Sequence, residues 1–299
     1  MPGYWAFTDS VRKLLWANRK LFIWTVVVYT LFTAILVGLS SQDTYTQLST
    51  TLRDSSTEIF SGDLGAIGQA SILLVSGATG GFSSAPTATQ QVFAGILTLL
   101  VWLTTVWLLR AILAGRSPRF RDGLYHAGAP IVSTALVVLV LIVQLLPIAI
   151  ATIAFVAASA SGLLAGGVEA MLFWSVASLL VVLSLYWMTS TLIALVVVTL
   201  PGMYPMQAIK TAGDLVIGRR LRLLWRLLWL GLTIAALWLV VMIPLIIFDS
   251  WIKGLLPSIE FIPLIPFSLA VMGSLTVVWS ASYVYLLYRK VVDDDSAPA

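Results

Sequence analysis

The sequence predicts an all-α integral membrane protein with six transmembrane helices, arranged as three hairpins with short cytoplasmic amphipathic elbow helices. Three observations predict it. Of 299 residues, 60% are hydrophobic and only 10% are charged, with a mean hydropathy of +1.00, far from the roughly one quarter charged that soluble domains carry. Six apolar runs fall at about 21–40, 92–113, 129–158, 168–200, 223–248 and 264–288, each near or above the roughly 20 helical residues that about 30 Å of hydrocarbon demands. Finally, the bases alternate between turns. Arg12, Lys13, Arg19, Lys20, Arg110, Arg116, Arg119, Arg121, Lys210, Arg219, Arg220, Arg222, Arg226, Arg289 and Lys290 fall on one side of this threading, and only Arg53 and Lys253 on the other. The positive-inside rule then puts both termini in the cytoplasm of a multi-pass protein of the inner, cytoplasmic membrane.

The chain opens on an amphipathic lead, with Arg12, Lys13, Arg19 and Lys20 beside Trp5, Phe7 and Trp16, and with Asp9 placed to cap a helix. A basic lead before an apolar run also describes a signal peptide. This run is longer than an h-region and five more spans follow, so the expectation is an uncleaved first helix. The connection 41–91 is rich in Ser, Thr, Gly and Ala and holds Asp43, Asp54, Glu58 and Asp63 against Arg53 alone, which reads as an outer loop. Its Gly77–Gly81 stretch lacks the Lys-Ser/Thr ending and preceding strand of a phosphate loop, so it reads as a flexible turn.

The second span ends at Arg110, before Arg116, Arg119 and Arg121. The third contains Gln144 and Pro147, and the proline removes one backbone hydrogen bond from its helix. An uncharged turn, 159–167, leads to the fourth span. The fifth carries Pro244 at a depth matching Pro147. An outer loop, 249–263, with Asp249, Lys253 and Glu260, precedes the sixth. Residues 1–290 thus form a single domain, and the acidic tail 291–299, with Asp293, Asp294 and Asp295, is expected to be disordered. Phe7–Val11, Phe120–Leu124 and Pro205–Ile209 share a loose pattern ahead of spans one, three and five, which reads as a weak threefold repeat of elbow helix plus hairpin.

The elbow from Leu200 to Leu230 is the richest stretch. As a helix from Pro205 it sets Ile209, Ala212 and Val216 against Gln207, Lys210, Thr211 and Asp214, the pattern of a segment lying on a membrane surface. Lys210, Arg219, Arg220, Arg222 and Arg226 are therefore candidate contacts for anionic lipid headgroups, each worth about 1 kcal/mol near a charged leaflet; anchoring the topology also accounts for them.

The run Leu200–Gly218 followed by basic residues, together with Phe120–Pro130, resembles the membrane-domain family attached to some glycerophosphodiester phosphodiesterases, many of whose members are stand-alone six-span bacterial or archaeal proteins. The resemblance implies a six-helix membrane domain with cytoplasmic amphipathic helices. It carries over no catalysis, because this chain lacks the soluble barrel and its His and Glu metal-site residues.

Chemistry is sparse. No cysteine is present and His126 is the one histidine, beside Tyr125 and Asp122, so no thiolate site, no His-based metal set and no activated nucleophile is expected. No span has an acid, Lys or His at its centre; Arg110, Glu169 and Asp249 lie at ends, within reach of the interface. A polar patch in the fourth span, Ser184, Tyr186, Trp187, Thr189, Ser190 and Thr191, set against Gln144, is the candidate polar cavity of a small transporter. The alternative is that these hydroxyls bond back to their own helix or across to a neighbour. The expectation is a non-catalytic scaffold, accessory or lipid-organising protein, not an enzyme, needing no cofactor or metal and binding no nucleic acid. Its partners would be membrane lipids and an envelope protein or a second copy of itself. A small permease and, less favoured, a membrane enzyme of lipid metabolism are the rival readings.

Overall fold

The computed structural model describes residues 3–38, 88–161, 164, 166–255 and 264–296. Among them every regular element is helical: α1 (Tyr4–Ala17), α2 (Arg19–Leu36), α3 (Ala88–Leu113), α4 (Phe120–Ala127), α5 (Ile131–Ala160), α6 (Val168–Val197), α7 (Pro205–Val216), α8 (Arg220–Leu255) and α9 (Leu264–Ser296). Six of these, α2, α3, α5, α6, α8 and α9, are long and apolar enough to cross a membrane. The chain is an all-α, multi-pass membrane protein. The expected outer loop 41–91 lies outside the described residues, apart from the start of α3.

A short helix followed by two long ones occurs three times: α1 with α2 and α3, α4 with α5 and α6, α7 with α8 and α9. The long helices of each set touch one another, and α5 packs on α6 along most of their length. The short helices share a way of docking. Phe7 and Val11 of α1, Gly123 and Ala127 of α4, and Ala208 and Ala212 of α7 are buried at i and i+4, one stripe of a helix. Small side chains on α4 and α7 let backbones approach closely. On Gly123 a Cβ would sit 2.9 Å from Leu108 Cδ2 and 3.2 Å from Thr104 Cγ2, so a larger residue between α4 and α3 would require those side chains to shift.

The last helix is the hub. Helix α9 contacts α1, α2, α3, α6, α7 and α8, and contributes Val278, Ala281, Tyr283, Val284, Leu287 and Val291 to the main core. By contrast, the most apolar stretch of α5 is only 11% buried, so Leu139, Ile142 and Ile150 project outward as lipid-facing residues do. A smaller cluster, Met242, Ile265 and Met272, joins α8 to α9 at the opposite end of the bundle from the short helices. Polar side chains also join helices, as expected where lipid supplies no hydrophobic driving force and packing and interhelical hydrogen bonds hold the bundle. One joins the phenol of Tyr29 and the Thr104 hydroxyl, 2.7 Å apart, between α2 and α3.

Several details differ from the sequence expectation beyond shifts of a few residues at helix ends. Asp9 does not cap α1; the N-cap is Gly3, and Asp9 lies within the helix, paired with Arg12 and Lys13. Helix α8 runs on to Leu255, so Asp249 is a helical, buried residue and not part of a loop. Residues 291–296 of the expected tail continue α9, because Val291 is buried in the core and Lys290 pairs with Asp294 one turn on. Lastly, α2 ends at Leu36 and not near residue 40.

Candidate functional site

The three short helices gather at one end of the bundle, and that end carries most of the chain's bases. The fold assembles it through specific contacts. Arg110, closing α3, donates from Nη1 to the Thr199 carbonyl at 3.1 Å and from Nη2 to the Thr199 hydroxyl at 3.0 Å, just past the end of α6. Arg219 Nη1 reaches the Val291 carbonyl of α9 at 3.4 Å, after Gly218, at φ +74°, has turned the chain from α7 into α8 in a conformation open to glycine. Arginines at the ends of these spans therefore clip the ends of α3, α6, α8 and α9 together at this end of the bundle.

The five elbow bases do not share one environment. Lys210 and Arg222 are exposed. Arg220 lies over the ring of Tyr186, 4.8 Å from its centroid. Arg226 departs from the surface position expected of it: it is 4% exposed, with Tyr4 and Phe7 of α1 at 5.6 and 5.2 Å from their ring centroids. Phe7 in turn meets Tyr283 of α9 edge-on at 4.8 Å. One turn along α8, Trp229 meets Trp5 edge-on at 4.9 Å and donates from Nε1 to the Thr8 hydroxyl at 3.1 Å. Arg226 and Trp229 together tie α1 to α8. The reason is register: Arg226 falls on the buried stripe of Leu223, Leu227 and Leu230.

Around this end, large apolar side chains face outward among the bases. Trp5, Trp16, Tyr125, Tyr204, Met206, Ile217, Leu221 and Trp225 are all more than half exposed, and Arg19 lies over the ring of Trp16 at 5.4 Å. Aromatic rings interleaved with Arg and Lys are the composition of a membrane–water interface. On α1, Lys13 first and then Arg12 hold the Asp9 carboxyl below its usual range, through hydrogen bonds of 2.7 and 2.6 Å. His126 stacks on Trp107 at 4.8 Å and shares a 2.8 Å hydrogen bond between its Nδ1 and the Asp122 carbonyl.

The candidate polar cavity is dispersed. Thr191 donates to Gln144 Oε1 at 2.6 Å, bridging α5 and α6. Thr189, buried, donates to the Leu185 carbonyl of its own helix. Tyr186 is 45% exposed under Arg220, and Ser184 is buried with no hydrogen-bond partner among the described residues. Gln144 is thus joined to one member of the patch, and Tyr186 is drawn to the basic end.

Sequence reasoning missed a cleft of about 240 Å³ between α1 and the end of α9, lined by Phe7, Ser10, Leu286, Arg289, Lys290 and Asp293. The signal available was the pair Arg289 and Lys290 followed one turn later by Asp293 and Asp294, which reads differently once it is helical. No group of three His, Cys, Asp or Glu side chains arranged to hold a metal occurs among the described residues. Compared with family models, curated proteins and solved structures, this chain matches none.

Proposed function

We propose that this chain is a non-catalytic protein of the cytoplasmic membrane, with both termini inside, that organises lipid or seats an envelope partner at its basic end. The observation that carries the reading is the shared location of exposed bases and exposed aromatic residues. Lys210, Arg222, Arg12 and Lys13 stand among Trp5, Trp16, Tyr204 and Trp225, the arrangement that seats a protein at an anionic leaflet. The resemblance to the membrane domain of glycerophosphodiester phosphodiesterases enters as a proposed relationship in fold alone.

Because the chain has no cysteine, single cysteines test the topology cleanly. Lys210→Cys and Arg119→Cys are expected to react with an impermeant maleimide only from the cytoplasmic side, and Gly166→Cys only from outside; the reverse pattern overturns the reading. In reconstituted discs, anionic phosphatidylglycerol is expected to be retained over phosphatidylcholine, and the preference to fall in Lys210→Gln/Arg222→Gln.

The transport reading rests on the Gln144–Thr191 bridge between α5 and α6, because a polar pair between two spans can serve a solute as well as the bundle. Solute uptake into proteoliposomes that disappears in Gln144→Leu would place transport above lipid organisation.

A further inference from the structure

Most hydroxyls of α6 are satisfied by their own helix. Ser175, Ser178, Thr189 and Ser190 each donate to a carbonyl three or four residues back, the ordinary arrangement for serine and threonine inside a helix. Thr191 crosses instead to Gln144 Oε1 at 2.6 Å. Ser184 does neither. It is 0% exposed, and its Oγ has no hydrogen-bond partner among the described residues. Hydrocarbon offers such a group nothing in exchange, so a buried hydroxyl left unbonded is costly.

The register of the hairpin says what Ser184 faces. Two contacts fix it, Gln144 with Thr191 and, further out, Phe155 with Trp174 at 5.9 Å between ring centroids. Between them α5 and α6 run antiparallel, and interpolation sets Ser184 across from Pro147 and Ile148. Ser184 also lies two turns from Thr191 on the same face of α6, whereas Tyr186, beneath Arg220 of α8, belongs to the opposite face. Pro147 stands inside α5 and has no N–H, so the carbonyl of Val143, one turn earlier, loses the donor that a regular helix would supply. At one level of the seam there is thus a carbonyl that only accepts and, across from it, a hydroxyl that can donate.

We propose that the α5–α6 seam holds one water molecule at the Pro147 bend, which donates to the Val143 carbonyl and accepts from the Ser184 hydroxyl. Water fits the place by size and by chemistry: it needs two to four polar partners and only about 10–15 Å³ of space, whereas a drug-sized solute needs a cavity of at least roughly 300 Å³. Ordered water is also one of the means by which a proline break is accommodated within a span. Bound there, it joins the backbone of α5 to α6, as the Gln144–Thr191 bond joins their side chains. The inference is independent of the lipid reading of the basic end and goes beyond the transport reading by naming what occupies the seam.

Two measurements on the full chain test it. The first is a double-mutant cycle, with the folded-to-unfolded ratio measured in a defined lipid disc. Ser184→Ala is expected to lower that ratio about tenfold, because it strands the Val143 carbonyl. In Pro147→Ala, which restores the missing N–H, the same change is expected to cost less than about twofold. The second is hydroxyl-radical labelling by an X-ray pulse, which modifies side chains beside bound water even inside a bilayer. Pro147 and Ile148 are expected to be labelled in the wild-type chain, and their labelling to fall to background in Ser184→Ala. An equal cost of Ser184→Ala in both backgrounds overturns the proposal, as does labelling that is missing in the wild-type chain or unchanged in Ser184→Ala. Coupling without labelling shows a direct bond from the hydroxyl to the carbonyl and overturns the water. If Pro147→Ala does not fold, the labelling of wild type against Ser184→Ala decides alone.

Discussion

Arg110 grips Thr199 twice, through its carbonyl at 3.1 Å and its hydroxyl at 3.0 Å, and so ties the last turn of α3 to the chain leaving α6. The carbonyl lies at the negative end of the α6 dipole, where a cation is favoured. Removing the guanidinium loses hydrogen bonds to a charged group, about 1.5–3 kcal/mol in total. Arg110→Leu is therefore expected to lower unfolding stability by that amount, and Thr199→Val by about 1 kcal/mol. Thermal or denaturant unfolding in a defined lipid disc measures both; the double variant should lose less than the sum, because the two share one interaction.

Gly123 is fixed by contact, not by backbone conformation. A methyl there would meet Leu108 at 2.9 Å and Thr104 at 3.2 Å, and Leu108 is fully buried with little room to yield. Gly123→Ala is expected to cost about 1–3 kcal/mol through overpacking. Adding Leu108→Ala should recover part of that loss, a sign reversal that a simple sum of two damaging changes does not give.

Helix α1 packs on α9 and α2, and Arg226 and Trp229 of α8 tie it further to the bundle. A desolvated cation over aromatic rings contributes about 2 kcal/mol, which corresponds to roughly a 30-fold change in a local opening equilibrium. In Arg226→Met, amide hydrogen exchange across Tyr4–Ala17 is expected to speed up by about that factor while α3 and α6 exchange as before. Unchanged exchange in α1 would show that Arg226 is not what holds it.

Asp9 gives a pH signature. Lys13 and Arg12 hold its carboxyl below its usual value, so the two ion pairs are complete above the ordinary aspartate pKa of about 3.9 and are lost as pH falls through the lowered folded value. Carboxyl-resolved NMR should find a midpoint below about 3.9, returning to it in Lys13→Gln/Arg12→Gln.

The six spans were legible because two independent signals agreed: apolar runs of membrane length and bases confined to alternate turns. The elbow helices were legible from amphipathic spacing, and Ala212 and Val216 are buried as that spacing requires. Arg226 was not, since a basic run at a helix start reads as surface by composition. The register with Leu223, Leu227 and Leu230 carried the opposite message, but which stripe faces inward depends on the partner, here α1 and α9, and pairing between distant helices is not written locally. The patch around Gln144 shows the same limit. One span offers several hydroxyls, and only the packing of α5 on α6 selects Thr191 for Gln144. Asp249 and residues 291–296 were misplaced because acidic residues suggested solvent, while burial of Asp249 and Val291 extends the helices that bear them.

The many partners of α9 have a consequence for biogenesis. Helix α9 follows in the chain each of the six elements it packs on, so the contacts it makes with them form only after those elements have been synthesised, when it docks beside spans already in the bilayer.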